Sequence, residues 1–359
     1  MNDNYRKAVI KVIGVGGGGC NAVNHMIAHN IEDVEFYCLN TDIQALRKSE
    51  CPQENQLQIG VEKTKGLGAG ADPMVGKQSA DENRKDIEDM IEDADMIFIA
   101  AGMGGGTGTG AAPVVAEIAR SMNKLTIGVV TKPFGFEGKK RMSFAQSGIN
   151  ELKDYVDSLI VIPNQKLVEE IPKHLPLTAA FAAVNEVLHV AVKGVSDLIL
   201  KDGYVNIDFA DINTVMSNSG LAMMGRGEGV GEDRALHAVK EAISSPLLDD
   251  VKINNATGII ASISSGLDIT LEELEIIGEE ISKYAQEDAV IVLGNSFEDN
   301  LTDEIRVSVI ATGLKNSSHE VAAPEKSSPL VINSKRPEQN STQKTETLNV
   351  PAFLRQKSV

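Results

Sequence analysis

Two glycine-rich loops are the stretches of this sequence best suited to chemistry. The first runs from Gly14 to Gly19 and fits the pattern G-x-G-x-x-G, and the second places six glycines in the nine residues from Gly102 to Gly110. Each glycine costs about 0.5–1 kcal/mol relative to alanine when its backbone is ordered inside an element. So many of them in one short segment indicate that something approaches this backbone very closely.

Phosphate binding is the chemistry that these loops favour. Glycines at the start of a helix expose successive backbone N–H groups, which bind anions, and two such loops at one edge of a sheet can enclose a di- or triphosphate. Thr107 and Thr109 add hydroxyl donors. A flexible surface loop is disfavoured, because the second loop connects an apolar run to a helix start. The sequence has no G-x-x-x-x-G-K-[ST], which excludes a P-loop.

Short apolar runs precede both loops and recur along the first half of the chain, which is typical of buried strands. These runs are Ala8–Val15, Val34–Thr41, Asp95–Ala101, Leu125–Thr131 and Ser158–Pro163. Segments with helical spacing lie between them, and Pro113 is expected in the first turn of the helix that follows the second loop. The alternation predicts a Rossmann-like α/β domain whose parallel sheet is covered by helices on both faces.

A long helix is predicted over Leu177–Leu200, which is apolar nearly all round and therefore expected to be buried. At 1.5 Å per residue it is about 35 Å long, enough to connect two domains. Strands and helices alternate again beyond it in a smaller, mixed α/β region. The predicted organisation is a nucleotide-binding domain (1–176), a connecting helix (177–202), a C-terminal α/β domain (203–314), a disordered linker (315–347) and a terminal peptide (348–359).

Charge and cysteine content restrict the class of protein. The net charge is −17; seven basic and four acidic residues from Lys315 onward give the tail +3, so the remaining 27 basic and 47 acidic residues give the body −20. An acidic body disfavours broad electrostatic binding of nucleic acid. Three cysteines without C-x-x-C spacing indicate a reducing compartment and argue against a disulfide framework or a cysteine zinc site. No stretch reads as a signal peptide or a membrane span.

Several further motifs stand around the glycine loops. They are IKVIGVGGGGCNAVNHM from Ile10, LNTD from Leu39, TKGLGAGADP from Thr64, VTKPFGFEGKKR from Val130, NIDFAD from Asn206 and VPAFLR from Val350. Together with GGGTGTG they resemble the FtsZ family, the bacterial cell-division GTPases of the tubulin/FtsZ superfamily. The resemblance covers residues 8–314 and returns at the tail.

The resemblance implies GTP and GDP as ligands, with Mg²⁺, and it implies which residues bind them. The implied phosphate-binding residues are Gly17, Gly18, Gly19, Cys20 and Asn21 in the first loop and Gly104, Gly105, Gly106, Thr107, Gly108, Thr109 and Gly110 in the second. By the same resemblance Ala69, Gly70 and Ala71 sense the γ-phosphate, Glu137 and Arg141 contact ribose and base, and Phe181 and Asn185 stack on and hydrogen-bond guanine. Cys20 departs from the family, in which glycine or another small residue is common.

Simpler interpretations exist for some of these residues. Glu137 and Arg141 alone would read as an exposed helical ion pair, worth about 0.3–0.5 kcal/mol. Phe181 alone would read as a core residue. Its spacing to Asn185 is nevertheless that of neighbours on one helix face.

The stretch Asn206–Asp211 carries the implied catalytic residues. In the family this loop meets the γ-phosphate of the next subunit, so Asn206, Asp208 and Asp211 are expected to complete hydrolysis between subunits, and head-to-tail contacts that do not close give filaments. Read without the family, Asp208 is equally well a helix N-cap. The implied setting is the cytokinetic ring, in the cytoplasm at mid-cell on the inner face of the membrane.

The terminal stretch Leu348–Arg355 resembles a peptide ligand for membrane-tethering adaptors of the FtsA/ZipA type and for division regulators. Asn349 stands where an acidic residue is common in the family. A disordered tail with incidental apolar residues is the alternative interpretation.

Two other functions remain open from the residues. A Rossmann oxidoreductase would bind NAD through Gly14–Gly19, with Asp42 as the ribose-binding acid. A non-enzymatic scaffold would hold GTP structurally, but it would not need both Asp208 and Asp211.

Overall fold

The fold is built around six parallel strands whose side chains alternate between two apolar layers. The computed structural model describes residues 7–170, 176–201, 203, 207–217, 219–248, 256–298 and 301–314. The six strands are β1 (Ile10–Val15), β2 (Val34–Asn40), β3 (Gln56–Gln58), β4 (Met96–Gly102), β5 (Leu125–Lys132) and β6 (Ser158–Pro163). Their order in the sheet is β3-β2-β1-β4-β5-β6, and every neighbouring pair is parallel.

Eight helices connect these strands and cover the sheet. They are α1 (Gly16–Ala28), α2 (Ile43–Arg47), α3 (Val61–Thr64), α4 (Pro73–Glu82), α5 (Arg84–Ile91), α6 (Thr107–Ser121), α7 (Lys139–Lys153) and α8 (Asn164–Glu170). Strand β4 shows the two layers: Phe98 packs in one core with α1, whereas Ile97 and Ile99 pack in the other with α5 and α6. The prediction of a parallel sheet covered on both faces is confirmed.

The helix after the second glycine loop begins earlier than the sequence predicted. Helix α6 starts at Thr107, so Pro113 is its seventh residue and lies inside the helix rather than in its first turn. Glycine and threonine are poor helix formers, so their run does not by itself indicate the start of a helix. The loop residues enter the helix nonetheless, because the N–H of Gly110 donates to the Gly106 carbonyl at 3.0 Å.

Helix α9 (Leu177–Leu200) has the predicted bounds, but only its second half is buried. Leu177 is 57% exposed and Phe181 is 43% exposed, whereas Ala191, Val192 and Val195 are fully buried. The prediction of a helix buried throughout is therefore wrong for its first turns. Those turns border a cavity instead of entering the core.

The C-terminal part extends the sheet to ten strands. It contains α10 (Phe209–Met216), β7 (Gly220–Val230), α11 (Arg234–Ile243), β8 (Ala256–Ser265), α12 (Leu271–Ser282), β9 (Ala285–Phe297) and β10 (Glu304–Thr312). The order continues from β6 as β7-β10-β8-β9. Strand β7 is parallel to β6 over three residue pairs and antiparallel to β10 along most of its length.

Strand β7 was not anticipated from the sequence, because its glycines lower the propensity for strand. The structure gives these glycines a packing role. A Cβ at Gly225, Gly227 or Gly229 would overlap a backbone carbonyl of α11, so the absence of side chains lets α11 lie directly on the strand.

Among the described helices, none has the length and apolar character needed to cross a bilayer. The linker 315–347, the terminal peptide 348–359 and Asn206 lie outside the described residues.

Candidate functional site

A cavity of about 360 Å³ lies at the carboxyl ends of the parallel strands, where both glycine loops meet. Eleven of the sequence-predicted residues line it: Gly17, Gly18, Asn21, Gly105, Gly106, Thr107, Gly108, Glu137, Arg141, Phe181 and Asn185. Gly102, Met103, Thr131, Pro133, Asn164, Val184 and Leu188 complete the lining. The carboxyl edge of a parallel sheet is where ligands of doubly wound folds bind.

Some of the loop glycines are required by the packing of the protein itself. A Cβ at Gly108 would lie 2.7 Å from the carbonyl oxygen of Gly102, and a Cβ at Gly110 would overlap the carbonyl oxygen of Pro73. Gly16, at φ +71°, would place a Cβ 2.7 Å from the nitrogen of Gly108. These glycines let the starts of α1, α4 and α6 approach one another.

Other loop glycines face open space. A Cβ at Gly17 would meet nothing within 4 Å, and one at Gly105 would meet only the Arg141 guanidinium, at 3.7 Å. Gly17 lies in the first turn of α1, and Thr107 and Gly108 lie in the first turn of α6. Neither first turn carries an acidic side chain. Two helix N-termini with open backbone therefore converge on one cavity, which suits a polyanionic ligand.

The two loop threonines differ in position. Thr107 lines the cavity, and its hydroxyl shares a hydrogen bond of 2.7 Å with the hydroxyl of Thr41. Thr109 lies outside the lining, and its hydroxyl accepts from the N–H of Gly104 at 2.8 Å. Gly104, at φ +102°, also lies outside the lining, so these two residues hold the shape of the loop.

The segment Ala69–Ala71 lies behind the second loop rather than in the cavity lining. Ala69 is buried against Gly106, where an added Cβ would come within 2.8 Å of the Ala69 methyl group. Gly70 and Ala71 are exposed, at φ +59° and +60°. The left-handed conformation costs a non-glycine residue about 1–2 kcal/mol, so the strain at Ala71 marks this turn as a candidate functional element.

An aromatic platform borders the other end of the cavity. The ring of Phe181 stands edge-on to the buried ring of Phe134, with centroids 5.2 Å apart, and Asn185 follows one turn later in α9. Phe134 in turn stacks on Phe136 at 5.3 Å. Sequence reasoning did not single out Phe134. The aromatic pair in PFGF, directly after a predicted strand, was the available signal.

Glu137 and Arg141 form an ion pair of 2.5 Å at the cavity wall. The other carboxylate oxygen of Glu137 accepts from the N–H of Phe134 at 2.9 Å, and the Nε of Arg141 donates to the carbonyl of Gly104 at 3.5 Å. The pair thus connects the start of α7 to both the aromatic platform and the second glycine loop. Glu137 and Arg141 therefore form an ion pair and also line the cavity.

Asn164 is a lining residue that the sequence reasoning missed. It is 4% exposed, and its Oδ1 has no hydrogen-bond partner among the described residues. A buried polar atom without a partner costs about 1–3 kcal/mol, which a donor on a bound ligand would recover. Its position directly after β6 places it at the same sheet edge as the glycine loops.

Three other predicted residues lie away from the cavity lining. The Cys20 thiol is buried and donates to the carbonyl of Gly14 at 3.5 Å; its hydrogen bond with Cys38 and its burial raise its pKa well above the ordinary value. Asp42 caps α2 by accepting from the N–H of Gln44 at 2.8 Å. Gly19 packs against the carbonyl of Ala100.

The segment that contains Asp208 and Asp211, called the acidic loop below, follows the C-terminal end of α9. Asp208 is the N-cap of α10, and its Oδ1 accepts from the N–H of Asp211 at 2.9 Å. Both side chains are exposed. Phe181 is near the start of α9, and 24 residues at 1.5 Å each give a helix about 36 Å long, so the acidic loop follows a helix that leads away from the cavity.

Carboxylates are scarce in the cavity. Glu137 is the one carboxylate among its described lining residues, and it is already bound to Arg141 and to the Phe134 N–H. Such a wall does not fit an all-protein Mg²⁺ cage. It does fit Mg²⁺ that is held mainly by ligand phosphates and water, which is that ion's usual mode.

Comparisons with known proteins agree with this geometry. The model described as "Tubulin/FtsZ family, GTPase domain" matches residues 9–172, and "FtsZ family, C-terminal domain" matches residues 220–315. A curated relative named cell division protein FtsZ, from Buchnera aphidicola of Baizongia pistaciae, is 52% identical over 88% of this chain and 80% of its own. A relative of the same name from Buchnera aphidicola subsp. Acyrthosiphon pisum is 48% identical over 98% of this chain and 97% of its own.

Solved structures show the same fold. A structure described as an empty FtsZ dimer from M. jannaschii has a TM-score of 0.83 and 42% identity, covering 90% of this chain and 96% of that one. CetZ1 from Haloferax volcanii, described as a GDP-bound monomer, has a TM-score of 0.75 over 86% of this chain and 95% of its own. At 19% identity that second likeness concerns the fold alone.

Proposed function

Because this chain belongs to the FtsZ family of tubulin-like GTPases, we propose that it binds GTP in the cavity, assembles head to tail, and completes hydrolysis with the acidic loop of the next subunit. The GTPase activity follows from the family. The catalytic role of Asp208, Asp211 and Asn206, the filament and the division ring are the proposal.

The cavity orients the nucleotide. Its phosphates would lie at the first turns of α1 and α6, where Gly17 and Gly105 leave the backbone open. Its base would lie on Phe181, within reach of Asn185 and of the unpartnered Oδ1 of Asn164. The backbone N–H groups at the open glycines would therefore bind the phosphates, and the base would stack on the aromatic ring of Phe181.

The observation that carries the proposal is that the cavity has a cradle for phosphate but no free carboxylate among its described lining residues. Glu137 is engaged by Arg141, whereas Asp208 and Asp211 are exposed on a loop at the other end of α9. Phosphoryl transfer needs a group that positions the attacking water. A neighbouring molecule's loop can bring that group to a cavity that lacks it.

The acidic loop has a divided task in this mechanism. The carboxylate of Asp208 accepts from the backbone N–H of Asp211 and so fixes the first turn of α10. Asp211 lies in that turn, and its carboxylate would accept a hydrogen bond from the attacking water. The carboxylate of Asp208 would add a second negative charge near that water. Asn206, the first residue of the loop, would contribute a neutral polar group to the contact.

The concentration dependence of GTP turnover tests this function. Phosphate release per chain should rise steeply with protein concentration, because each active centre needs two molecules. A scaffold that merely holds GTP would release little phosphate at any concentration. Turnover per chain that stays constant on dilution to monomers would contradict completion of the site between subunits.

Phe181→Ala should weaken binding of both GTP and GDP by about 5- to 150-fold, because stacking of a base on an aromatic ring contributes about 1–3 kcal/mol. Tyr284→Ala is the matched control, since Tyr284 is an aromatic residue that is 37% exposed and lies outside the cavity lining. Equilibrium binding of GDP measures both. Equal affinity in the two variants would remove Phe181 as the base platform.

The remaining parts of the proposal concern organisation. We infer a nucleotide-binding domain (1–176), a connecting helix (177–202), a C-terminal domain (203–314) and a linker (315–347). Leu348–Arg355 would bind membrane-tethering adaptors. A chain that lacks 348–359 should therefore no longer bind them, and unchanged binding would contradict this assignment. The ring would form at mid-cell on the inner face of the membrane, consistent with relatives named as cell division proteins.

A further inference from the structure

A cluster of imidazoles and one carboxylate joins α1 to α9 beside the nucleotide cavity. His25 lies in the last turn of α1, His29 is the C-cap of that helix and Glu186 lies on α9. One ligand atom from each lies within 4.8 Å of the others. We propose that His25, His29 and Glu186 form a binding site for a transition-metal dication of the Zn²⁺ type. This proposal does not depend on the catalytic role of the acidic loop.

The spacing on α1 suits a shared ligand. His29, the C-cap, follows His25 by four residues, and the centroids of the two rings are 4.1 Å apart. The Nδ1 of His29 is 2.8 Å from the carbonyl oxygen of His25. Since a carbonyl only accepts, Nδ1 donates this hydrogen bond, which leaves Nε2 as the ring nitrogen available to a metal.

Glu186 is oriented in the same way by a second contact. One of its oxygens accepts from Arg226 at 3.1 Å, and the other lies 3.0 Å from the Nε2 of His25. One carboxylate oxygen is thus held by Arg226, and the other is turned toward the imidazoles.

A further imidazole, His189, is buried beside this cluster. Its ring lies 5.5 Å from that of His29 and 6.0 Å from that of His25, between centroids. It is 5% exposed, and its Nδ1 has no hydrogen-bond partner among the described residues.

The donor set selects the class of metal. Imidazole nitrogens with one carboxylate suit Zn²⁺ and its neighbours, whereas Mg²⁺ and Ca²⁺ prefer oxygen alone. Tetrahedral ligands at about 2.0–2.1 Å from Zn²⁺ lie roughly 3.3 Å apart. The 3.0 Å separation of His25 Nε2 and Glu186 is already close to that spacing, and a bound metal would replace the proton between them, which is released to solvent. The exposed His29 is free to adjust.

The proposed metal site lies next to two residues that line the nucleotide cavity. Asn21 lines the cavity one turn before His25 on α1, and Asn185 lines it directly before Glu186 on α9. A metal held by both helices would therefore fix the phosphate side of the cavity relative to the base platform. The 161-residue separation of His25 from Glu186 makes the link entirely tertiary.

Zinc titration of the full chain tests the proposal. Metal-free protein should take up one equivalent of Zn²⁺ in competition with a chromophoric chelator. His29→Asn and Glu186→Gln should each weaken binding at least 10- to 100-fold, because even loss of an outer-shell partner has an effect of that size. His237→Asn, on α11, is the matched control and should titrate like the unaltered chain.

A second measurement identifies the ligands. Co²⁺ in place of Zn²⁺ should give the visible spectrum of a nitrogen and oxygen site, without thiolate charge-transfer bands, and His29→Asn should abolish it. Such bands would assign the metal to the cysteines and overturn the proposal. Identical Zn²⁺ affinity in the unaltered chain and in His29→Asn would also overturn it, leaving His25–Glu186 as an ordinary ion pair.

Discussion

Asp211→Asn should leave GTP affinity unchanged and reduce turnover by at least about 100-fold, the lower end of the effect of a group that handles a proton in the transition state. Asp211 is exposed and lies outside the cavity lining, so the bound nucleotide of the same chain is not disturbed. Asparagine keeps the shape of the side chain, and the backbone N–H still donates to Asp208. Phosphate release and binding of a non-hydrolysable GTP analogue measure the two effects separately.

Glu272→Gln is the matched control for this variant. Glu272 lies in the first turn of α12, as Asp211 does in α10, so both substitutions remove one exposed charge near a helix N-terminus. That loss costs each helix only about 0.3–1 kcal/mol. Turnover should fall in Asp211→Asn alone, and normal turnover there would contradict the proposed mechanism.

Mixing variants tests the intermolecular arrangement directly. Asp211→Asn chains bind GTP but present an inactive loop, whereas Phe181→Ala chains bind GTP weakly but present an intact loop. A mixture should therefore release phosphate faster than either variant alone at the same total concentration. A mixture no faster than the sum of its parts would place the acidic residues within one chain.

Gly110→Ala should lower the free energy of unfolding by about 2 kcal/mol or more, even after the gain of up to about 1 kcal/mol that alanine brings to a helix. The added methyl group would overlap the carbonyl oxygen of Pro73, a backbone atom that moves only with α4. Urea unfolding measures this loss.

Gly17→Ala is the contrasting substitution, because nothing lies within 4 Å of the added Cβ. Stability should be unchanged or slightly raised, while GTP affinity falls by about 10-fold or more as the methyl group takes the place of a phosphate contact. Unaltered affinity in Gly17→Ala would mean that the phosphates do not approach the start of α1.

The parts of the fold with continuous apolar strands could be predicted from the sequence. Ser158–Pro163 and Leu177–Leu200 have the bounds that their apolar patterns gave, and the resemblance to the FtsZ family is confirmed. Strand β3 carries the polar sequence QLQ and is half-buried at the sheet edge, so it has no apolar signal. Strand β7 was hidden by glycines whose purpose is contact with α11.

The site was only partly predictable because its geometry is tertiary. Spacing could pair Phe181 with Asn185. The aromatic support from Phe134, and the Oδ1 of Asn164 that has no partner among the described residues, arise only where three strands end together. Conversely, Thr109 matches a phosphate-loop motif in sequence, yet its hydroxyl closes the loop on Gly104. A motif specifies which residues are near a ligand, and the packing decides which of them face it.

The length of α9 has a consequence for any polymer of this chain. Each residue of an α-helix adds about 1.5 Å of rise and about 100° of rotation. Insertion or deletion of a single residue in its 24-residue span would therefore swing one end of the molecule sideways relative to the other. The length of α9 therefore sets both the translation and the rotation between successive subunits. Only insertions or deletions of whole helical turns would come close to preserving that rotation.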